Sequence, residues 1–243
     1  NTKESFALEF FESLNFEYII SADDGFKTDL NFLRKLKNKN IVAKKLFITK
    51  NFFLQKTVPW WRILDILFTQ IEYKSKIYNN KELLKKISKK LYNYNSPDKY
   101  NNLNNLFKKI IGESIPSGIF DILSSQMLSI NDLDLINTNN IEIGIHTVSH
   151  IKLSNLSYQK QFQEINESYN FNKKYFKNFS LDFAIPYGNF RSYDKNTYLI
   201  SKKLGINCFT NHIKYPLISN DILKYRINIA DYGDGLNNTR FFQ

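Results

Sequence analysis

One cysteine, Cys208, stands among the 243 residues. That scarcity excludes an intramolecular disulfide and any metal site built from several thiolates. No run approaches the ~18 consecutive apolar residues of a membrane-spanning helix, so the sequence predicts no transmembrane segment. A secretory signal pattern is also missing, although the chain opens at Asn1 rather than Met, which leaves room for a removed upstream segment. There is no nucleic-acid-binding motif and no internal repeat, and the lysines are not massed in one arm. Histidine is scarce too, with three in the chain, so where they fall carries information.

What is present reads as one large globular domain. Hydrophobic residues make up 42% and charged residues 23%, which is ordinary for a folded protein and unlike a disordered one. The 21 Phe and 15 Tyr accompany abundant Asn, Lys and Ile, a bias of composition more than an aromatic binding surface. The net charge of +11 is spread along the chain and reads as a solvated lysine-rich surface. It is also compatible with an anionic partner, such as a phosphate-linked carrier or the headgroups of a membrane touched peripherally.

Short β-branched or aromatic runs predict buried strands at Tyr18–Ala22, Lys45–Thr49, Ile141–Ile145, Leu181–Ile185, Ile206–Thr210 and Tyr225–Ile229. Helical spacing separates most of them: Thr28–Asn40, Ser157–Phe176 with Ser157 as N-cap, and Tyr193–Leu204. Alternation of this kind predicts an α/β fold with a mainly parallel sheet. Polar residues sitting directly after strands favour a barrel over an open doubly wound sheet, because barrel enzymes gather their chemistry at strand C-termini. From about residue 59 to 127 the pattern changes to helices at Trp60–Ile71, Lys81–Leu91, Leu103–Ile111 and Ile119–Met127. Tyr92–Asn105, rich in Asn, reads as a linker between them. This region is expected to be a helical insertion within a single domain spanning residues 1–243.

Three strand ends carry the chemistry. His146-Thr147-Val148-Ser149-His150 closes the third strand, and its spacing places two imidazoles on one side of a turn, where they can share a metal. Surface or core histidines give the same spacing, but here two of the three histidines fall together. Ser21-Ala22-Asp23-Asp24-Gly25 closes the first strand. Adjacent carboxylates repel each other there unless a cation or a proton-transfer role compensates, though an Asx-turn gives the same string. Phe183-Ala184-Ile185-Pro186-Tyr187-Gly188 closes the fourth, either as a plain strand stop or as a rigid turn aiming a backbone N–H at a developing oxyanion.

In this order the three elements resemble the polysaccharide deacetylase, or NodB-homology, family. The first family motif is Thr/Ser-Phe-Asp-Asp-Gly, here with Ala22 in place of Phe. His-Ser/Thr-x-x-His is matched in full, whereas Arg-x-Pro-Tyr is matched without its arginine, since Ala184 stands there. Leu153-Ser154-Asn155-Leu156-Ser157, Arg226-Ile227-Asn228-Ile229 and Pro59-Trp60-Trp61 are similar to features of one branch. The family's late Trp motif and Leu-x-His motif are not recognisable.

The resemblance implies a distorted (β/α) barrel with a helical insertion, and hydrolysis of an N-acyl group on an amino sugar of a bacterial cell-surface polysaccharide or its precursor. It implies one divalent metal held by Asp24, His146 and His150. Zinc suits that open three-ligand donor set, and Co2+, Ni2+ or Mn2+ are also compatible. Asp23 is then the general base, and the Pro186-Tyr187 turn, through the Tyr187 N–H, the oxyanion donor. Arg226 is expected to replace the missing arginine beside Asp23, and His212, the remaining histidine, to protonate the departing amine. Trp60 and Trp61 are expected to wall the substrate groove. Two other readings stay open: deformylation of a lipid- or nucleotide-linked amino sugar, and a barrel that binds glycans without catalysis. The bacterial cytoplasm and the cell envelope both remain compatible locations.

Overall fold

The first five predicted apolar runs each contribute a strand to one parallel sheet in the computed structural model, which describes residues 8–69, 89–90, 99–112, 114–211 and 223–225, so that all of the sixth run but Tyr225 lies outside the described residues. The strands are β1 (Tyr18–Ala22), β2 (Ile41–Ile48), β3 (Glu142–Ile145), β4 (Phe179–Ala184), β5 (Asn207–Thr210) and β6 (Leu223–Tyr225). They lie in chain order from β1 to β6, and every neighbouring pair is parallel. A doubly wound sheet reverses its direction of growth once. A sheet that never reverses adds its right-handed crossovers on one side and curls into a barrel. The fold is a distorted (β/α) barrel, open between β6 and β1 among the described residues.

Side chains at alternate positions share a face of the sheet, and on one face they stack in layers leading toward the site. Lys45 of β2 pairs with Glu142 of β3 and, at 2.6 Å, with Asp182 of β4. Asn207 Nδ2 donates to Asp182 at 2.8 Å. Two residues further along, Phe47, Ala184 and Phe209 form an apolar layer. Gly144 makes room for it, because a Cβ there would lie 2.5 Å from the Phe47 ring. Two residues further again, His146 and Asn211 emerge and line the same pocket.

Helices cover the other face. α1 (Lys27–Lys35) buries Leu30 and Leu33 in the main core. It stops five residues short of the expected Thr28–Asn40 because Asn38 is used elsewhere: its Nδ2 donates to the carbonyls of Phe11, Glu12 and Leu14. A polar side chain that satisfies distant backbone in this way competes with helix propagation. Between β2 and β3 come α2 (Lys50–Phe53), α3 (Trp60–Thr69), α4 (Lys99–Ile111), α5 (Gly118–Gln126) and α6 (Leu133–Asn137). α3, α4 and α5 share a core of their own, including Trp60, Ile63, Leu67, Leu103, Phe107 and Leu123. Residues 99–105, expected in a linker, are helical: Leu103 and Phe107 pack one turn apart into that core, and burial outweighs the poor helix propensity of Asn. The expected helix Lys81–Leu91 lies outside the described residues except for 89–90.

The insertion returns to the barrel at a defined point. Leu128 N–H donates to the Gly25 carbonyl at 2.8 Å, next to an isolated bridge between Phe26 and Met127. Its exit is thereby tied to the Asp23-Asp24-Gly25 turn. α7 (Tyr158–Tyr175) and α8 (Lys195–Leu204) complete the crossovers. Ser157 caps α7 as expected. Asp194 caps α8, which ends on Gly205 in the left-handed conformation.

Candidate metal and catalytic site

Three strand ends meet at one pocket of about 530 Å³, and the backbone there is strained. Five non-glycine residues among those described have left-handed φ, and four belong to the pocket motifs: Asp24 (73°), Thr147 (64°), His150 (50°) and Tyr187 (65°). Such conformations cost on the order of 1–3 kcal/mol each and persist where the surroundings impose them.

Asp24, His146 and His150 offer one donor atom each, all within 4.8 Å of one another. Asp24 Oδ1 lies 3.5 Å from His146 Nε2 and 3.4 Å from His150 Nε2. Ligand atoms spread tetrahedrally at ~2.0–2.1 Å from a zinc ion would stand about 3.3–3.4 Å apart, a separation that both carboxylate–imidazole distances match. His146 Nδ1 lies 2.7 Å from the Ala184 carbonyl. A carbonyl can only accept, so Nδ1 carries a hydrogen and Nε2 is the ring nitrogen turned toward Asp24. Ala184, at the place of the family's missing arginine, thus serves the site through its backbone. Burial disfavours the charged form of His146, but Asp23 and Asp24 outweigh it and raise its pKa.

Asp23 stands beside this trio, its Oδ2 4.0 Å from His146 Nε2, with its side chain about one-third exposed at 31%. The placement leaves it open to a water molecule. His150 is enclosed by rings: Phe52 at 6.0 Å, Trp61 at 4.7 Å, Tyr187 at 4.8 Å and His146 at 4.8 Å between centroids. The two tryptophans part company. Trp61 lines the pocket, whereas Trp60 is buried in the insertion core and donates from Nε1 to the Tyr187 hydroxyl at 3.4 Å. Pro186 is buried and does not line the pocket, while Tyr187 does. His212 and Arg226 lie outside the described residues.

Residues 123–209 match the family model described as polysaccharide deacetylase. The matched stretch contains His146, His150, Pro186 and Tyr187, and the resemblance drawn from the motifs is borne out over it. Asp23 and Asp24 precede it. No curated protein sequence matches the chain. Among solved structures, it is similar to the Streptococcus pyogenes deacetylase PplD in complex with acetate, at 15% identity and a TM-score of 0.39, covering 87% of this chain and 91% of that one.

Sequence reasoning did not single out Asp29, Arg62 or Asp65, which also line the pocket. Asp29 sits in the first turn of the helix that opens after Gly25. Arg62 follows Trp61 and pairs with Asp65 Oδ2 at 3.1 Å. Burial, reinforced by the charges of Asp24 and Asp23, raises the Asp29 carboxyl to about 7 against the pull of Arg62.

The sign of the pH effect follows from that shift. Between 3.8 and about 7 the folded chain holds a proton on Asp29 that the unfolded chain has released, so stability falls as pH rises through that window. In chelator-treated protein, the urea midpoint is expected to drop over that range, and Asp29→Asn to lessen the drop. Equal slopes in the two proteins would show that Asp29 is not the group responsible.

Proposed function

We propose that this chain is a metal-dependent amidohydrolase that removes the N-acyl group, acetyl in the first instance, from an amino sugar of a cell-surface polysaccharide or its precursor. The observation that carries the reading is the Asp24–His146–His150 donor set with Asp23 beside it, in a pocket of about 530 Å³. The deacetylase match over residues 123–209 supports the same reaction.

The roles follow from position. Asp24, His146 and His150 would hold a divalent cation, zinc by its donor set, which when bound would polarise the scissile carbonyl and lower the pKa of water. Asp23 accepts the proton of the attacking water. The Tyr187 N–H, in a turn held by its left-handed φ of 65°, donates to the developing oxyanion. Trp61 offers an aromatic face to a sugar ring, while Trp60 fixes the Tyr187 side chain. The assignment of Arg226 to Asp23, and of His212 as the acid for the departing amine, rests on the sequence alone.

Zinc-loaded protein incubated with N-acetylated and N-formylated amino-sugar oligosaccharides tests the reading by the acid released. Acetate release that a chelator abolishes is the expected result. Formate alone would shift the reading to deformylation, and bound metal without release of either acid would favour a glycan-binding barrel. Trp61→Ala is expected to raise KM by about tenfold, the upper part of the ~0.5–1.5 kcal/mol of a good aromatic contact, with kcat within about threefold. An unchanged KM would remove Trp61 from the substrate wall.

A further inference from the structure

Hydrogen bonds hold the backbone of the His146–His150 loop from two sides, and one side chain accepts two of its N–H groups. Thr49 Oγ1 donates to the His146 carbonyl at 3.2 Å. The N–H groups of Lys50 and Asn51 donate to the carbonyls of Thr147 and Val148 at 3.2 and 2.9 Å. His150 N–H donates to Thr147 Oγ1 at 3.1 Å. The N–H groups of Val148 and Ser149 both donate to Glu164 Oε2, at 3.0 and 2.9 Å. The Ser149 hydroxyl donates to the other oxygen, Oε1, at 2.6 Å.

Glu164 stands in the second turn of α7, an element none of the three motifs occupies. Its carboxylate takes three hydrogen bonds from the two residues immediately before His150. A charged acceptor binds backbone N–H groups more strongly than a neutral one. The loop it grips holds two residues, Thr147 and His150, at left-handed φ, a shape that a free pentapeptide of these residues would leave. The Glu164 bonds work against that escape, and they fix where the His150 imidazole stands relative to His146 and Asp24.

We infer that Glu164 is a positioning residue for the metal loop, setting the affinity of the Asp24–His146–His150 site for its cation without touching the cation. The inference rests on the metal-site reading above. A Glu164 that merely supplied acceptors to a turn would be replaced by water at no cost to the ligands. One that holds the imidazoles in place cannot be, because the loop would relax and the donors would separate. Outer partners of metal ligands typically set 10–100-fold of affinity.

The test is the zinc affinity of the full chain, measured by competition with a chromophoric chelator. Glu164→Ala and Glu164→Asp are expected to weaken binding about 10–100-fold, aspartate because its shorter side chain no longer reaches both N–H groups. Glu164→Gln, whose amide oxygen still accepts, is expected to stay within about threefold of wild type. Glu167→Gln, one turn on, loses the ion pair to Lys50 but leaves the loop N–H groups bonded, and is expected to bind normally. Hydrogen exchange of the metal-free protein should speed up over residues 146–150 in Glu164→Ala. Wild-type affinity in Glu164→Ala, or Gln as damaging as Ala, overturns the proposal. Failure of both Ala and Asp variants to fold also overturns it, assigning Glu164 to folding instead. His146→Ala in the same assay separates the two readings: if it loses zinc while Glu164→Ala does not, the Glu164 proposal alone fails. If His146→Ala keeps zinc, the metal site fails.

Discussion

Alanine at His146, His150 or Asp24 is expected to strip the chain of stoichiometric metal and with it all deacylating activity. Each replacement leaves two donors where three converge within 4.8 Å, and two donors hold a divalent cation weakly. The loss should exceed about 100-fold in affinity, beyond the 10–100-fold typical when an outer partner is removed. His146→Ala carries a second penalty, since the Ala184 carbonyl at 2.7 Å is left without its donor in a buried place. Metal content of the purified variants, read by elemental analysis beside circular dichroism, checks the expectation. Stoichiometric metal in a folded Asp24→Ala protein would remove Asp24 from the ligand set.

Asp23→Asn should behave in the opposite way, keeping the metal and losing turnover. Asparagine has nearly the shape of aspartate but cannot accept the proton of an attacking water, and general-base catalysis is worth roughly 10²–10⁴-fold. The expected kcat is lower by that factor, with metal content unchanged. Asp23 lies 4.0 Å from His146 Nε2, further than Asp24 from either imidazole, which is why the two adjacent carboxylates are given different tasks. Near-normal turnover in Asp23→Asn sinks the base assignment, and loss of metal would make Asp23 a ligand instead.

The strands were legible because their period and composition are local properties. β1 runs from Tyr18 to Ala22 as expected, and β2 to β5 differ from expectation at their ends by a few residues. Helix ends were less so: the stop of α1 depends on Asn38 reaching backbone carbonyls at residues 11–14, and the start of α4 on Leu103 and Phe107 finding a core. Neither effect is written in the local window. Likewise the pair Trp60-Trp61 looks alike in sequence, yet one ring is buried against the insertion and the other faces the pocket.

By itself the sequence nominated candidate ligands and a candidate base, because a four-residue histidine spacing and a paired aspartate after strand ends are local patterns, and their order along the chain resembles that of a known family. The alternation of strand and helix determined the barrel class for a similar reason, each element's periodicity being set by its own backbone. Tertiary structure alone decided what surrounds those residues. It brought the Ala184 carbonyl to His146, Glu164 to the loop between the histidines, and Asp29 and Arg62 into the pocket. None of these partners has a spacing that marks it, since each reaches the site across a crossover or an insertion whose length the chemistry does not constrain. Hydrogen bonds and charges act through space, and only the fold specifies which distant side chains share that space.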